Sequence, residues 1–153
     1  MKRLVWRGLD APRMEIAHVQ VDDGQVRARG TQIGVAYELR YELEEPRLRA
    51  EVVGEREIEL ELEGGQDHFD LGYSPLFNSL PILRDGLHRG GEPRDYVMAW
   101  VSVPELEVRP SAQRYEPLGG ALVRFRSGDF AAELELDEDG FVVRYPGLAE
   151  RIA

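Results

Sequence analysis

The sequence predicts an all-β, mainly antiparallel fold, either a symmetrical, partly open β-barrel or a strongly curved sheet. Short segments alternate apolar and polar residues with a period of two, which is typical of strands buried on one face. Turn signals such as Asp22-Asp23-Gly24, Gly64-Gly65 and Ser127-Gly128 separate these segments, roughly every 8–12 residues. No long helical pattern competes with this interpretation, and at most one or two short helical segments are expected.

The first half of the chain shows the clearest alternation. Residues 35–44 place Val35, Tyr37, Leu39, Tyr41 and Leu43 on one face and mostly charged side chains on the other. This pattern predicts a strand with one buried and one solvated face. The predicted strands of this half cover residues 13–21, 25–31 (ended by Gly30), 35–44, 48–52 and 58–63.

Residues 69–87 do not follow a strand pattern. Pro75 and Pro81 each lack a backbone donor, yet the stretch is rich in Leu, Ile and Phe. It is predicted to be an irregular connection that covers a core or lines a cavity, with one or two helical turns within residues 76–87. Asn78 is expected either to cap a short helix near Ser79 or to contact a ligand.

The second half is predicted to contain strands at residues 96–103, 113–118, 122–126, 130–136 and 141–145. Pro104 and Pro110 are expected to interrupt the chain between the first two of these strands, and residues 146–153 to form a helical turn. Glu59–Leu62 and Glu133–Leu136 both read Glu-Leu-Glu-Leu. This repeat is compatible with an internal duplication, although Glu/Leu alternation is also common by chance in solvated strands.

Composition narrows the class of protein. The 153 residues predict a single domain over residues 1–153. The formal charge of −10 argues against nucleic acid as a partner. The absence of cysteine excludes disulfides and thiol catalysis. No apolar run reaches the ~18 residues of a membrane span, and the N-terminus lacks the apolar region of a secretory signal. A cytoplasmic location is therefore expected.

Catalytic and metal-binding patterns are sparse. His18, His68 and His88 lie far apart, and only His68 and Asp70 share a face of one predicted strand. A metal site needs more ligands than that pair, so no metal and no cofactor are expected. No nucleophile elbow or phosphate loop occurs. An enzyme built around His68 and Asp70 is retained as the weakest of three hypotheses.

Three segments carry a family resemblance: Ser-Pro-Leu-Phe-Asn-Ser-Leu-Pro-Ile-Leu-Arg at 74–84, Val-Pro-Glu-Leu with Gln-Arg-Tyr at 103–115, and Gly-Phe-Val-Val-Arg-Tyr-Pro-Gly-Leu at 140–148. In order and spacing they resemble the bacterial family of putative glycolipid-binding proteins, roughly from Trp6 to Ile152. The first motif is matched by Asp70, Ser74, Pro75, Asn78, Leu80, Pro81, Ile82 and Arg84. The resemblance implies a symmetrical, partly open barrel that is similar to lipid carriers.

The function expected from this resemblance is non-enzymatic binding of an amphipathic small molecule, a glycolipid or lipid, in an aromatic-lined cavity. The candidate ligand-binding residues are Tyr73, Phe77, Asn78, Arg84, Trp100, Gln113 and Tyr115. Arg84 could instead pair with Asp70 or Asp85. Leu83 and Phe77 stand where many family members have Arg and Thr, which makes this version more apolar. The alternative is a protein-interaction or structural module whose core is filled by the same aromatic rings.

Overall fold

The computed structural model describes residues 1–153. The first six strands are β1 (Lys2–Gly8), β2 (Met14–Asp22), β3 (Gln25–Ile33), β4 (Glu38–Glu44), β5 (Arg47–Val52) and β6 (Arg56–Glu61). Then come β7 (His68–Leu71), helix α1 (Pro75–Asp85) and a 3-10 turn (Leu87–Arg89). The remaining strands are β8 (Arg94–Val101), β9 (Val108–Gly119), β10 (Leu122–Ser127), β11 (Phe130–Leu136), β12 (Val142–Tyr145) and β13 (Ala149–Arg151).

All thirteen strands belong to one sheet in the order β6-β5-β4-β3-β2-β1-β13-β12-β11-β10-β9-β8-β7. Strands β1 to β6 form one antiparallel meander and β8 to β13 form a second. The two meanders join where β1 pairs with β13, with Trp6 opposite Arg151. Only β7 pairs in parallel, with β8. The prediction of a mainly antiparallel, strongly curved all-β fold is confirmed.

The sheet is curved but not closed. Its edge strands β6 and β7 follow one another in the chain without pairing. Side chains bridge the gap between the two edge strands instead. Glu45, in the β4–β5 turn, accepts the backbone N–H of Phe69 at 2.9 Å and lies 2.7 Å from Nδ1 of His68. Arg56 of β6 donates to the carbonyl of Glu105 at 3.0 Å. We call this gap the seam.

Helix α1 lies against the concave face of the sheet, in contact with β3, β7 and β12. Its eleven residues exceed the predicted one or two turns. Pro75 is tolerated because the first helical position needs no N–H donor. Pro81 lies inside the helix, and Gly86 ends it in the left-handed conformation, donating to the carbonyl of Ile82. No helix of the chain has the length and apolar character needed to span a bilayer.

The helix separates two hydrophobic clusters. Leu76, Phe77 and Leu80 face the larger cluster, which β1 to β5 and β7 supply in large part. Ile82 faces the smaller cluster, formed mainly by β8 to β12. Residues 75–82 are all buried, so the first two turns of α1 have no solvent-exposed side. An enclosed segment carries no alternation of polar and apolar faces, which explains why no amphipathic pattern indicated this helix.

Several predicted boundaries were wrong. Gly30 lies inside β3 opposite Tyr41 rather than ending the strand, and Pro110 lies inside β9 opposite Ala99. Val35 is 81% exposed in a tight turn before β4. Residues 146–153 contain β13 rather than a helical turn, because pairing with β1 and β12 outweighs their weak local preference.

The Glu-Leu-Glu-Leu repeat does not mark equivalent positions. Residues 59–61 belong to β6, the sixth strand of the first meander, whereas residues 133–136 belong to β11, the fourth strand of the second. The two halves share a six-stranded meander topology, but this repeat does not relate one half to the other.

Candidate functional site

A cavity of about 460 Å³ opens beside the N-terminus of α1. Strands β7 and β8 supply one side of it, and β10, β11 and β12 supply the opposite wall because the second meander curves around. Two grooves of about 610 and 660 Å³ lie over the charged face of the first meander. Their linings consist mainly of Arg and Glu side chains, several of them ion-paired across strands. We interpret those grooves as solvated surface and the cavity as the candidate site.

The floor of the cavity holds a directed chain of hydrogen bonds. Asn78 of α1 donates from Nδ2 to the Tyr115 hydroxyl at 3.1 Å, and that hydroxyl donates to Oε1 of Gln113 at 3.4 Å. Gln113 then donates from Nε2 to Oδ2 of Asp70 at 2.7 Å. Each donor in the chain points toward Asp70, so the chain as a whole favours negative charge there.

Asp70 is a half-buried carboxyl group in the cavity lining, with no cationic partner. It forms none of the ion pairs of the chain, and its side chain receives one hydrogen bond, from Gln113. Burial raises the pKa of Asp70 to about 6, against the opposing effect of the Gln113 hydrogen bond. Burial also raises the pKa of Tyr115 and Tyr145, and the nearby Asp70 raises both further. Both phenols are therefore neutral neighbours of the carboxyl group.

The raised pKa of Asp70 predicts a specific pH dependence of stability. The unfolded carboxyl loses its proton near its ordinary pKa of 3.8, whereas the folded one keeps it to about 6. The contribution of Asp70 to the free energy of unfolding of the wild type should therefore decrease between about pH 4 and 6 and stay constant above pH 6. Asp70→Asn should gain stability relative to the wild type over that interval. Urea unfolding of both proteins between pH 4 and 8 measures the difference between their free energies of unfolding. A difference that does not change with pH would contradict the raised pKa of Asp70.

Aromatic rings form the walls of the cavity. Phe125 and Tyr145 are buried, with ring centroids 6.3 Å apart, and Phe130 stacks on Tyr145 at 6.3 Å. Phe130 is 50% exposed and Tyr73 is 44% exposed, so these two rings form the rim. Two arginines flank the mouth: Arg109 lies over Trp100 at 5.0 Å, and Arg13 over Tyr73 at 4.7 Å.

A second buried carboxylate, Glu15 of β2, lies behind the cavity wall. It accepts the Tyr41 hydroxyl at 2.6 Å, the Ser74 hydroxyl at 2.7 Å and the Gln32 amide at 3.2 Å. Gln32 also donates to the carbonyl of Gly72. Burial raises the pKa of Glu15, and the three hydrogen bonds oppose that rise. The cluster joins β2, β3 and β4 to the residues that lead into α1.

Sequence reasoning missed Glu15, although a signal was available. Within the strand predicted at residues 13–21, Glu15 alternates with the apolar residues Ala17 and Val19, and both of these are fully buried in the structure. A charged residue at a core-facing position indicates that other buried polar groups form hydrogen bonds with it.

The structure brings together five of the seven predicted site residues. Tyr73, Asn78, Trp100 and Gln113 line the cavity, and Tyr115 lies directly behind its floor. The two others lie elsewhere. Phe77 packs edge-on against Tyr41 in the larger core cluster, with centroids 5.4 Å apart, and Arg84 is exposed in a groove beside the seam.

Two predicted contacts were wrong, and His68 and Asp70, which lie two residues apart on β7, form no hydrogen bond with each other. Asn78 does not cap the helix, because Ser74 precedes its first residue and Asn78 lies one turn inside. Arg84 pairs with neither Asp70 nor Asp85. Instead, Asp85 accepts the Tyr96 hydroxyl at 2.6 Å and lies 3.7 Å from Arg94. His68 and Asp70 have separate partners, Glu45 and Gln113.

The architecture is that of a strongly curved antiparallel sheet wrapped around one helix, with an aromatic-walled cavity at the helix N-terminus. Residues 52–151 match the family model described as "Putative glycolipid-binding". The chain belongs to this family, as its motifs predicted.

A crystal structure of a DUF1089 family protein from Pseudomonas aeruginosa has the same fold. The TM-score is 0.69 at 23% sequence identity, and the match covers 90% of this chain and 92% of that one. No curated protein matches the chain.

Proposed function

We propose that this protein binds the polar headgroup of a glycolipid, or of a related amphipathic small molecule, in the cavity beside α1. The observation that carries the proposal is the combination of a hydrogen-bonding floor, formed by Asp70, Asn78 and Gln113, with aromatic walls. The volume of about 460 Å³ falls within the range of roughly 300–1,000 Å³ that small-molecule sites occupy. Membership of the family supports the same chemistry.

Sugar headgroups suit this division of polar and apolar surface. Their hydroxyl groups need donors and acceptors, which the carboxyl and amide groups of the floor provide. Their C–H faces pack against aromatic rings, and Trp100 and Tyr145 present such rings beside the floor. Fixed polar groups would orient the headgroup, while the rings would contribute the larger share of buried apolar area.

The rim offers a place for an acyl chain. Tyr73 and Phe130 are large side chains that remain about half exposed, and Leu148 lies beside them in the cavity lining. Exposed apolar groups at the edge of a polar-floored site are typical of contacts with a partner molecule. An acyl chain leaving the cavity would cover these rings while the headgroup stays on the floor.

Titration with n-octyl β-D-glucoside, below its micellar concentration, tests the proposal. Calorimetry should show saturable binding, and Trp100→Ala should weaken it at least tenfold, because the ring that packs on the headgroup is removed. Phe130→Ala should weaken it about threefold through the lost contact with the alkyl chain. Val35→Ala is the matched control for removing exposed apolar surface, since Val35 is exposed between β3 and β4 and does not line the cavity.

Two results together would overturn the proposal: no saturable binding of octyl glucoside, and no lipid adduct in native mass spectrometry after incubation with a bacterial total lipid extract. In that case the alternative of a protein-interaction module would gain support. The unpaired edge of β6 would then be the surface to examine, because edge strands can pair with a strand from another chain.

A further inference from the structure

We propose that the cavity selects headgroups that carry a protonated amine, with the Asp70 carboxylate as the partner of the ammonium group. This inference rests on the proposed function and names the headgroup chemistry at the same site. Two kinds of lipid share that chemistry, amino-sugar glycolipids and ethanolamine lipids.

The first argument is the unmatched charge of Asp70. One carboxylate oxygen, Oδ2, accepts the amide of Gln113, and the other receives no hydrogen bond from the protein. A carboxylate that is partly withdrawn from water is disfavoured unless it is paired and hydrogen-bonded. The other charged side chain of the cavity lining, Arg109, packs on the Trp100 ring at 5.0 Å and forms no ion pair with Asp70. A ligand with an ammonium group would supply both the missing positive charge and a hydrogen-bond donor for the second carboxylate oxygen of Asp70.

The second argument is the set of groups that face Asp70. Gln113 and Tyr115 come from β9, Asn78 from α1, Trp100 from β8 and Tyr145 from β12. These five side chains are uncharged near neutral pH. The one cation of the cavity lining, Arg109 of β9, packs on Trp100 and does not contribute to the pKa of Asp70. The pKa of Asp70 reflects this arrangement, since burial and Gln113 account for it without a nearby arginine.

The third argument is the aromatic wall. An ammonium group is attracted to the face of an aromatic ring within about 6 Å, most strongly where water is excluded. Phe125, Phe130 and Tyr145 line the cavity as a contiguous cluster, with centroids 6.2–6.3 Å apart. A carboxylate next to such rings is the combination that favours a charged amine over a neutral hydroxyl. A hydroxyl would gain the hydrogen bond alone.

A matched pair of probes tests this preference. Octyl glucosides with an amine or a hydroxyl at C2 of the sugar differ in that one group. At pH 7 the amine probe should bind the wild type at least tenfold more tightly. As the pH falls from 7 to 5 the preference should decline, because Asp70 takes up a proton. The amine itself only gains charge over that interval, so the decline must come from the protein.

Variants and a second ligand class complete the test. Asp70→Asn should bring the ratio of the two affinities close to one, whereas Asp95→Asn, which removes an exposed carboxylate on β8, should retain the preference. Comparing the affinities of dihexanoyl phosphatidylethanolamine and dihexanoyl phosphatidylglycerol distinguishes the two kinds of lipid that could supply the amine. If only the amino-sugar probe binds more tightly than its hydroxyl counterpart, the site recognises amino sugars. If only phosphatidylethanolamine binds more tightly than phosphatidylglycerol, the site recognises ethanolamine lipids.

The outcomes separate the two proposals. If the wild type prefers the amine member of neither the sugar pair nor the lipid pair at any pH, but still binds these probes, the amine inference is wrong while the proposed function stands. If neither sugar probe nor either lipid binds, both are wrong. The pH dependence of the amine preference in the wild-type protein tests the role of Asp70 even if the Asp70 variant does not fold.

Discussion

Replacing Glu15 by alanine is expected to destabilise the fold by about 4 kcal/mol, because three buried donors lose their acceptor and each buried donor left without a partner costs roughly 1–3 kcal/mol. The change removes the common acceptor of Tyr41, Ser74 and Gln32. Each donor would then be buried without its partner. Since small domains have roughly 5–15 kcal/mol of stability, the variant should fold with a much lower urea midpoint.

Glu15→Gln is the matched control, because it preserves the shape and one carbonyl acceptor. We expect a cost of about 1 kcal/mol, the net worth of one ordinary hydrogen bond. Burial raises the pKa of Glu15 above its unfolded value, so the wild type loses stability as the pH rises through the folded pKa. The amide variant does not ionise, and its disadvantage should therefore shrink toward higher pH.

Urea unfolding of both variants between pH 5 and 9 measures these effects. Equal destabilisation by alanine and glutamine would show that neither side-chain volume nor a single carbonyl acceptor is enough, and that the complete carboxylate is needed at this position. A loss below 1 kcal/mol for Glu15→Ala would mean that the three donors find other partners.

Gly30→Ala is the second large effect, with an expected loss of about 3 kcal/mol, at the upper end of the usual cost of overpacking. A Cβ at this position would lie 2.4 Å from Cζ and the hydroxyl oxygen of Tyr41. The ring has little freedom to move, because its hydroxyl donates to Glu15 and its face packs against Phe77. Gly30 therefore marks a place where an aromatic ring covers the backbone of the neighbouring strand.

Gly64→Ala is the matched control for this substitution. A Cβ at Gly64 would meet no atom within 4 Å, so the same chemical change should alter stability by less than about 0.5 kcal/mol, as at most surface positions. Thermal unfolding of the two variants side by side gives the comparison. Similar melting temperatures for both would contradict the close approach of Tyr41 to β3.

Strand β4 shows what the sequence makes predictable. Leu39, Tyr41 and Leu43 are buried and alternate with more exposed charged residues, so period two identifies both the strand and its core face. Helix α1 shows the converse. Its first eight residues are all buried and include Pro81, so neither amphipathic periodicity nor local propensity reveals its length, and tertiary packing decides it.

The candidate site was predictable only where a motif supplied it. Asn78 and Gln113 belong to the family motifs, and the structure joins them through Tyr115. Phe125 and Phe130 reach the same cavity from β10 and β11 because the second meander curves around. Alternation tells which face of a strand is apolar, but it carries no information about how far a sheet bends.

The pairing of β1 with β13 has a consequence for biosynthesis. The strands at the centre of the sheet are those made first and last among its thirteen. Until β13 emerges from the ribosome, the N-terminal meander presents one side of β1, with the large apolar side chains of Leu4, Val5 and Trp6, as an open edge. Lys2, Arg3 and Arg7 surround that apolar run. Charges of one sign on an unprotected edge discourage two nascent chains from associating through it.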